Sequence, residues 1–145
     1  MKSLFKVDHH STNVDLAVLI LRVSIAVLML VHGLPKMLML LSGEPVQFPA
    51  LVGSPEVSLA LAVFAEVVCS LLILVGLGTR LATIPLIITM LVAVLYVHGA
   101  DPFTKQEMGL HYLFAYLVLL ITGSGKFSLD QVVTKSNPAF AYKVK

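Results

Sequence analysis

Cysteine is almost missing from this chain: Cys69 is the only one among 145 residues. A single thiol cannot close an internal disulfide, form a CxxC redox pair or build a thiolate metal cage, so any redox chemistry has to come from a bound cofactor or a partner. Charge is scarce as well. Charged residues make up 12% of the chain and leave a formal net charge of +2. No dense basic run and no interleaving of basic with aromatic residues occurs, which excludes nucleic-acid binding. With so few charges and 58% hydrophobic residues, the composition leaves the range of soluble domains and enters that of membrane proteins. Only one domain fits, because a spanning helix takes ~20 apolar residues and four such helices with short loops use nearly the whole length. Lys2 and Lys6 precede an apolar run from about Leu16 to Leu41, but that run is too long for a signal-peptide core and lacks a clear small-residue cleavage site.

Four apolar segments can be read along the chain. The expected fold is all-α and membrane-embedded, an antiparallel bundle of four transmembrane helices with both termini cytoplasmic. The expected layout is a cytoplasmic tail over 1–14, a transmembrane domain over 15–123 with helices at about 15–41, 58–77, 80–98 and 104–122, and a cytoplasmic tail over 124–145. Asn13 or Asp15 suits the first cap, and Ser54-Pro55-Glu56 suits the start of the second helix, with proline in the first turn and glutamate against the helix dipole. Pro85 is a candidate kink in the third helix. Thr104-Lys105-Gln106-Glu107 has the spacing of a capping box for the fourth. Segments two and three are joined by a tight turn, "GLGT", whereas the connection from Ser42 to Pro55 carries "FPALVG", too apolar for an ordinary loop and suited either to lie in the membrane interface or to fold over one end of the bundle. Beyond Ser128 the pattern is a short amphipathic helical turn and a basic end. Lys2, Lys6, Arg80, Lys126, Lys135, Lys143 and Lys145 fall on the side of the termini, against Lys36 and Lys105 on the other, so the positive-inside rule places the termini in the cytoplasm.

Ionisable residues at membrane depth are costly and are functional candidates by default. Arg22 in the first helix and Glu66 in the second reach similar depth if the helices run antiparallel, and an Arg22–Glu66 pair is expected. Arg22, Met29, His32 and Lys36 fall on one helical stripe. At the non-cytoplasmic end His32 and Lys36 share a level with His98 and with Glu107 and His111, an i,i+4 pair opening the fourth helix; Asp101 and Glu56 are candidates at the rim. Gly33 permits a neighbour's close approach, and Pro35 loosens the helix beside the pocket. Two chemistries suit this cluster. Histidine beside a carboxylate can exchange protons with a bound quinone, with Lys36 or His32 hydrogen-bonding a quinone carbonyl. Alternatively, His32, His98 and His111 could hold a transition metal, although the Lys36 ammonium opposes a cation and weighs for no metal. Glu66, His98 and His32 are thus the catalytic candidates, and Arg22, His32, Lys36, Glu66, His98, Glu107 and His111 the ligand-binding ones. Structural readings stand beside these: a register-fixing ion pair, interfacial histidines, Tyr96, Tyr112 and Tyr116 as packing or interface residues, and Cys69 as a small buried apolar group. His9 and His10 lie outside the cluster.

Arg22 followed by "HGLPKM", Glu66 followed by "LLILVGLGTR", His98 after the third helix and "GSGKFSLDQ" closing the fourth resemble the DoxX family of small bacterial membrane proteins, over about Leu16 to Val133. The resemblance implies a multi-pass protein of the bacterial inner membrane. It also implies a role as a subunit in quinone-dependent respiratory or sulfur oxidation, such as a thiosulfate:quinone oxidoreductase, or in an oxidative-stress complex. It points to Arg22, His32, Lys36, Glu66 and His98. Glu107 and His111 are added by spacing alone. The partners this implies are the lipid bilayer and redox subunits, with a homo-oligomer left open. A small-solute, proton or anion transporter and a non-catalytic scaffold or assembly factor are the alternative functions. No self-contained catalytic motif marks the chain as an enzyme by itself.

Overall fold

The structure, a computed structural model, describes residues 11–136. The terminal lysines Lys2, Lys6, Lys143 and Lys145 and the pair His9 and His10 lie outside the described residues. All regular structure among the described residues is helical: α1 (Ser11–Leu41), α2 (Pro55–Val75), α3 (Thr79–Val97), α4 (Phe103–Thr122) and a short α5 (Leu129–Ser136). Three of these helices are long and apolar enough to cross a membrane, over Thr12–Leu41, Pro55–Val75 and Thr79–Val97. At ~1.5 Å rise per residue the second and third are about 30 Å long, the thickness of the hydrocarbon core of a bilayer. α4 has the length of a span but opens with Lys105, Gln106 and Glu107, which lower its mean hydropathy.

Polarity is distributed the reverse way from a water-soluble domain. Large apolar side chains such as Ile20, Val31, Leu38, Leu81, Ile88, Phe114 and Ile121 are exposed on the outer helix faces, whereas Arg22, Glu66, Ser70, Thr79 and Thr83 are buried. Outer surfaces this apolar require lipid around them, and the inner polar groups are the ones that lipid would not tolerate. The chain is a multi-pass membrane protein.

Local chemistry explains the helix ends. Ser54 caps α2 by accepting from the Val57 N–H at 3.3 Å, with Pro55 in the first turn. α4 starts after Pro102 without a side-chain cap, so the Thr104 capping box does not form: the helix has already begun at Phe103, two residues too early for Thr104 to serve as its cap. Asp15 lies inside α1 rather than capping it, and its carboxylate pairs with Lys126 at 3.0 Å. α2 is not uniform. Phe64–Cys69 forms a π-turn, and a second π-turn, Ala93–Val97, closes α3; such wide turns insert an extra residue and turn side chains off the regular helical stripe.

α1 packs on α2, α2 on α3, α3 on α4, and α4 returns to α1. The main apolar core between them contains Ile25, Ala26, Met29, Ile73, Leu86, Tyr116 and Leu119. The crossing of α1 and α2 is set at Gly33, where an added Cβ would stand 3.0 Å from the Glu66 backbone carbon and 2.9 Å from Val67 Cγ2. Any side chain there would push the two helices apart. The same antiparallel register brings Arg22 to the far end of α2, against Gly76.

Candidate functional site

Gly33 sets the site by putting the backbones of α1 and α2 in contact at Glu66. One turn further along α1, the Lys36 ammonium reaches Glu66 Oε1 and forms an ion pair. The Glu66 side chain is 2% exposed and that of Lys36 31%, so the carboxylate is interior while the ammonium stands at its open side. The second carboxylate oxygen, Oε2, is buried without a hydrogen-bond partner. Lys36 Nζ also lies 6.0 Å from the centroid of the Phe48 ring, within the range of a weak cation–π contact.

The pair lines a cavity of about 600 Å³. Leu61 and Ala62 of α2 and Ile88, Val92 and Ala93 of α3 make its apolar walls, Thr89, Tyr96 and His98 add polar groups, and Phe48, Pro49, Leu51 and Val52 of the α1–α2 connection close one side. Both π-turns contribute to it, through Glu66 on one helix and Ala93, Tyr96 and Val97 on the other. The connection is held down by one hydroxyl. Ser58 Oγ accepts from the N–H groups of Leu51 and Val52, at 3.0 and 2.9 Å, and donates to the Val52 carbonyl at 3.2 Å. Of the two placements its composition allowed, the apolar "FPALVG" stretch takes the one over the end of the helices, where it lines the cavity.

His98 follows α3 at the cavity's edge. Its Nδ1 lies 2.8 Å from Asp101 Oδ2, and Lys105 Nζ lies 3.6 Å from Asp101 Oδ1. Gln106 Nε2 donates to the His98 and Asp101 carbonyls, both at 3.0 Å, fixing the backbone of this corner. The His98 hydrogen bond, with a smaller contribution from the Lys105 charge, holds the Asp101 carboxyl below its ordinary value.

The structure gathers only part of the expected cluster. Lys36, Glu66 and His98 line the cavity, with Asp101 behind His98. The expected Arg22–Glu66 pair does not form. Arg22 is fourteen positions before Lys36 in α1, about 21 Å at ~1.5 Å per residue. Its guanidinium, 2% exposed, donates to the carbonyls of Ser124 at 2.7 Å and Phe127 at 2.6 Å. There it clasps the segment after α4 to the α2–α3 turn. Gly76 has φ +73°, and a Cβ on it would stand 2.1 Å from Arg22 Nη1, so glycine is required both by the turn and by the guanidinium. Asp130 continues the clasp, accepting from the Gly78 N–H at 2.8 Å and donating its own N–H to the Gly76 carbonyl at 3.0 Å.

His32 is exposed and outside the cavity lining, with its ring edge-on to Tyr112 at 5.7 Å. Its ring contact lies with α4 and not with the cavity. Glu107 and His111 are exposed on α4 and outside the lining, as is Glu56 on α2. The alternative metal set of His32, His98 and His111 is not assembled: among the described residues no three His, Cys, Asp or Glu side chains converge to hold an ion. Ser58 and Thr89 were not singled out in the sequence, where an isolated hydroxyl carries no signal of its place; Tyr96 stood there as a packing or interface residue, Gln106 only as part of a capping box and Phe48 only as part of the apolar connection. Tyr112 and Tyr116 are buried packing residues, stacked at 6.3 Å, and Cys69 is buried as well.

No curated protein and no solved structure matches the chain. The sequence matches the DoxX family over residues 17–99, which is more than half of its length and contains Lys36, Glu66, His98 and the connection that covers the cavity. The chain belongs to the DoxX family.

Proposed function

We propose that this DoxX protein is a membrane subunit of a quinone-linked oxidoreductase or redox complex, and that the cavity beside Lys36 and Glu66 binds the quinone head group. The observation that carries this reading is a largely apolar cavity of about 600 Å³ with a lysine–glutamate pair in its wall. That volume suits a small ring compound, and the residues fit it: Ile88, Val92 and Phe48 offer apolar contact, Lys36 offers N–H donors, and Glu66 and His98 offer proton acceptors. A bound quinone supplies reversible two-electron, two-proton chemistry. The chain's own part is to orient the ring, hold Glu66 against Lys36, and exchange protons at Glu66 and His98. With Cys69 as the sole cysteine, electrons come from a partner subunit. In the cell, α1 to α4 span the bacterial inner membrane as an antiparallel four-helix bundle. Arg80, Lys126 and Lys135 lie on the cytoplasmic side, and the cavity lies at the opposite end.

The test is equilibrium binding of a short-tailed quinone to protein in lipid nanodiscs. Lys36→Met removes a charged hydrogen-bond donor and is expected to weaken binding about tenfold or more. Ala93→Phe, which fills the cavity and leaves every charge in place, is expected to weaken it as well. Absence of quinone binding, or binding indifferent to both changes, refutes the reading.

A further inference from the structure

Two of the polar groups that line this cavity, Glu66 and His98, offer acceptors. At its edge, an ionised Asp101 carboxylate can only accept, so the 2.8 Å contact with His98 is donated by Nδ1–H. Lys105 stands on the other Asp101 oxygen at 3.6 Å and favours the ionised form. Gln106 locks the backbone on both sides of the contact. In the neutral imidazole this leaves Nε2 as a bare acceptor, on a residue that lines the cavity. At the other polar point Glu66 gives Oε1 to Lys36 and keeps Oε2 buried without a partner, while Lys36 retains further N–H donors.

Resting on the quinone reading above, we propose that the cavity is built for the reduced, dihydroxy form of its ligand, a hydroquinone-class ring, in preference to the oxidised form. One hydroxyl accepts from Lys36 and donates to Glu66, and the other donates to His98 Nε2. A carbonyl can only accept. It satisfies Lys36 but offers no proton to Glu66 or to His98 Nε2. Sites built to receive a hydroxyl reject the analogue without it strongly, because their polar groups are then stranded. Asp101 is a positioning residue: it does not touch the ligand, but it decides which imidazole nitrogen carries the proton.

The experiment is anaerobic calorimetry on the full chain in nanodiscs at pH 8, where an ordinary imidazole is neutral. The probes are a short-tailed benzoquinol, the matching quinone, and the quinol dimethyl ether, which keeps the ring but has no donor. The quinol is expected to bind at least about tenfold tighter than either other probe, the loss that one unmade hydrogen bond to a charged group produces. In Asp101→Asn the side-chain amide can donate to Nδ1 and shift the proton to Nε2, so the preference for quinol is expected to fall while quinone affinity holds or rises. Quinone binding as tightly as quinol overturns the inference and leaves the quinone reading standing. Failure of all three probes to bind overturns both. Equal weakening of quinol and quinone in Asp101→Asn overturns the positioning role, since a merely structural residue would act on both alike.

Discussion

The pairing of Glu66 with Lys36 rather than Arg22 can be measured as a coupling energy. Glu66 is 2% exposed, and Lys36 is its one hydrogen-bond partner among the described residues, with Oε2 unpartnered. Lys36→Met therefore leaves a buried carboxylate with no counter-charge, a change that costs about 3 to 5 kcal/mol in buried pairs of soluble proteins. Because the Lys36 side chain is 31% exposed, solvent already screens part of the interaction, and the lower end of that range, about 3 kcal/mol, is expected. Glu66→Met is expected to cost less, about 1 kcal/mol, because a stranded lysine can extend toward the open side of the cavity. The double variant replaces both charges by apolar side chains of similar size, which is often close to neutral. The cycle should then give a coupling of at least ~2 kcal/mol, read from unfolding in mixed micelles by far-ultraviolet circular dichroism. The parallel cycle of Arg22→Met with Glu66→Met should be additive within about 0.5 kcal/mol, as distant sites are. Coupling below ~0.5 kcal/mol for Lys36 and Glu66, or a larger value for Arg22 and Glu66, would refute the register described above.

Gly33→Ala places a methyl group 3.0 Å from the Glu66 backbone, where a helix and not a flexible tip has to move; a loss of about 1 to 3 kcal/mol is expected, together with weaker quinone binding, and unchanged stability would show that α1 and α2 do not touch there. Ser58→Ala removes the acceptor of two backbone N–H groups, so amide exchange at Leu51 and Val52 should quicken and stability fall by about 1 to 2 kcal/mol, with unaltered exchange speaking against the anchor. For Asp101, the folded-state value lies below the unfolded one, first because of the His98 hydrogen bond; its contribution is therefore complete above the ordinary carboxylate value of about 4 and is lost only as pH falls through the depressed folded value. A carbon-13 carboxyl titration should place Asp101 below that ordinary value, and a midpoint at or above it would contradict the geometry.

Some of the site was legible in the sequence for physical reasons. Lys36 and Glu66 stood out because charge inside an apolar run is costly and has to be held by something. "FPALVG" marked a segment bound for the membrane interface or for the end of the bundle, because so apolar a stretch is costly to keep in water. Gly33 was the signal that could have corrected the pairing of Glu66. A glycine in a spanning helix marks where another backbone approaches, and taking it as the crossing point selects Lys36, one turn away, over Arg22. Glu107 and His111 were grouped by level, and level does not say which side of a helix a residue occupies; His32 shared a nominal stripe with Lys36 as well, but a stripe does not say which of its members a neighbouring helix turns into the cavity.

By itself, the sequence determined that this chain is helical and lives in a membrane, since hydropathy and segment length depend only on local composition and on the thickness of the bilayer. It also determined the few places where polar chemistry can occur. Tertiary structure alone decided how those places divide. The close approach at Gly33 set the register of α1 against α2, which sent Arg22 to a structural clasp on the chain's C-terminal segment and Lys36 to Glu66. The two π-turns and the Ser58-anchored connection then opened and covered a cavity at that pair, by contacts between segments far apart in the chain that no local pattern records.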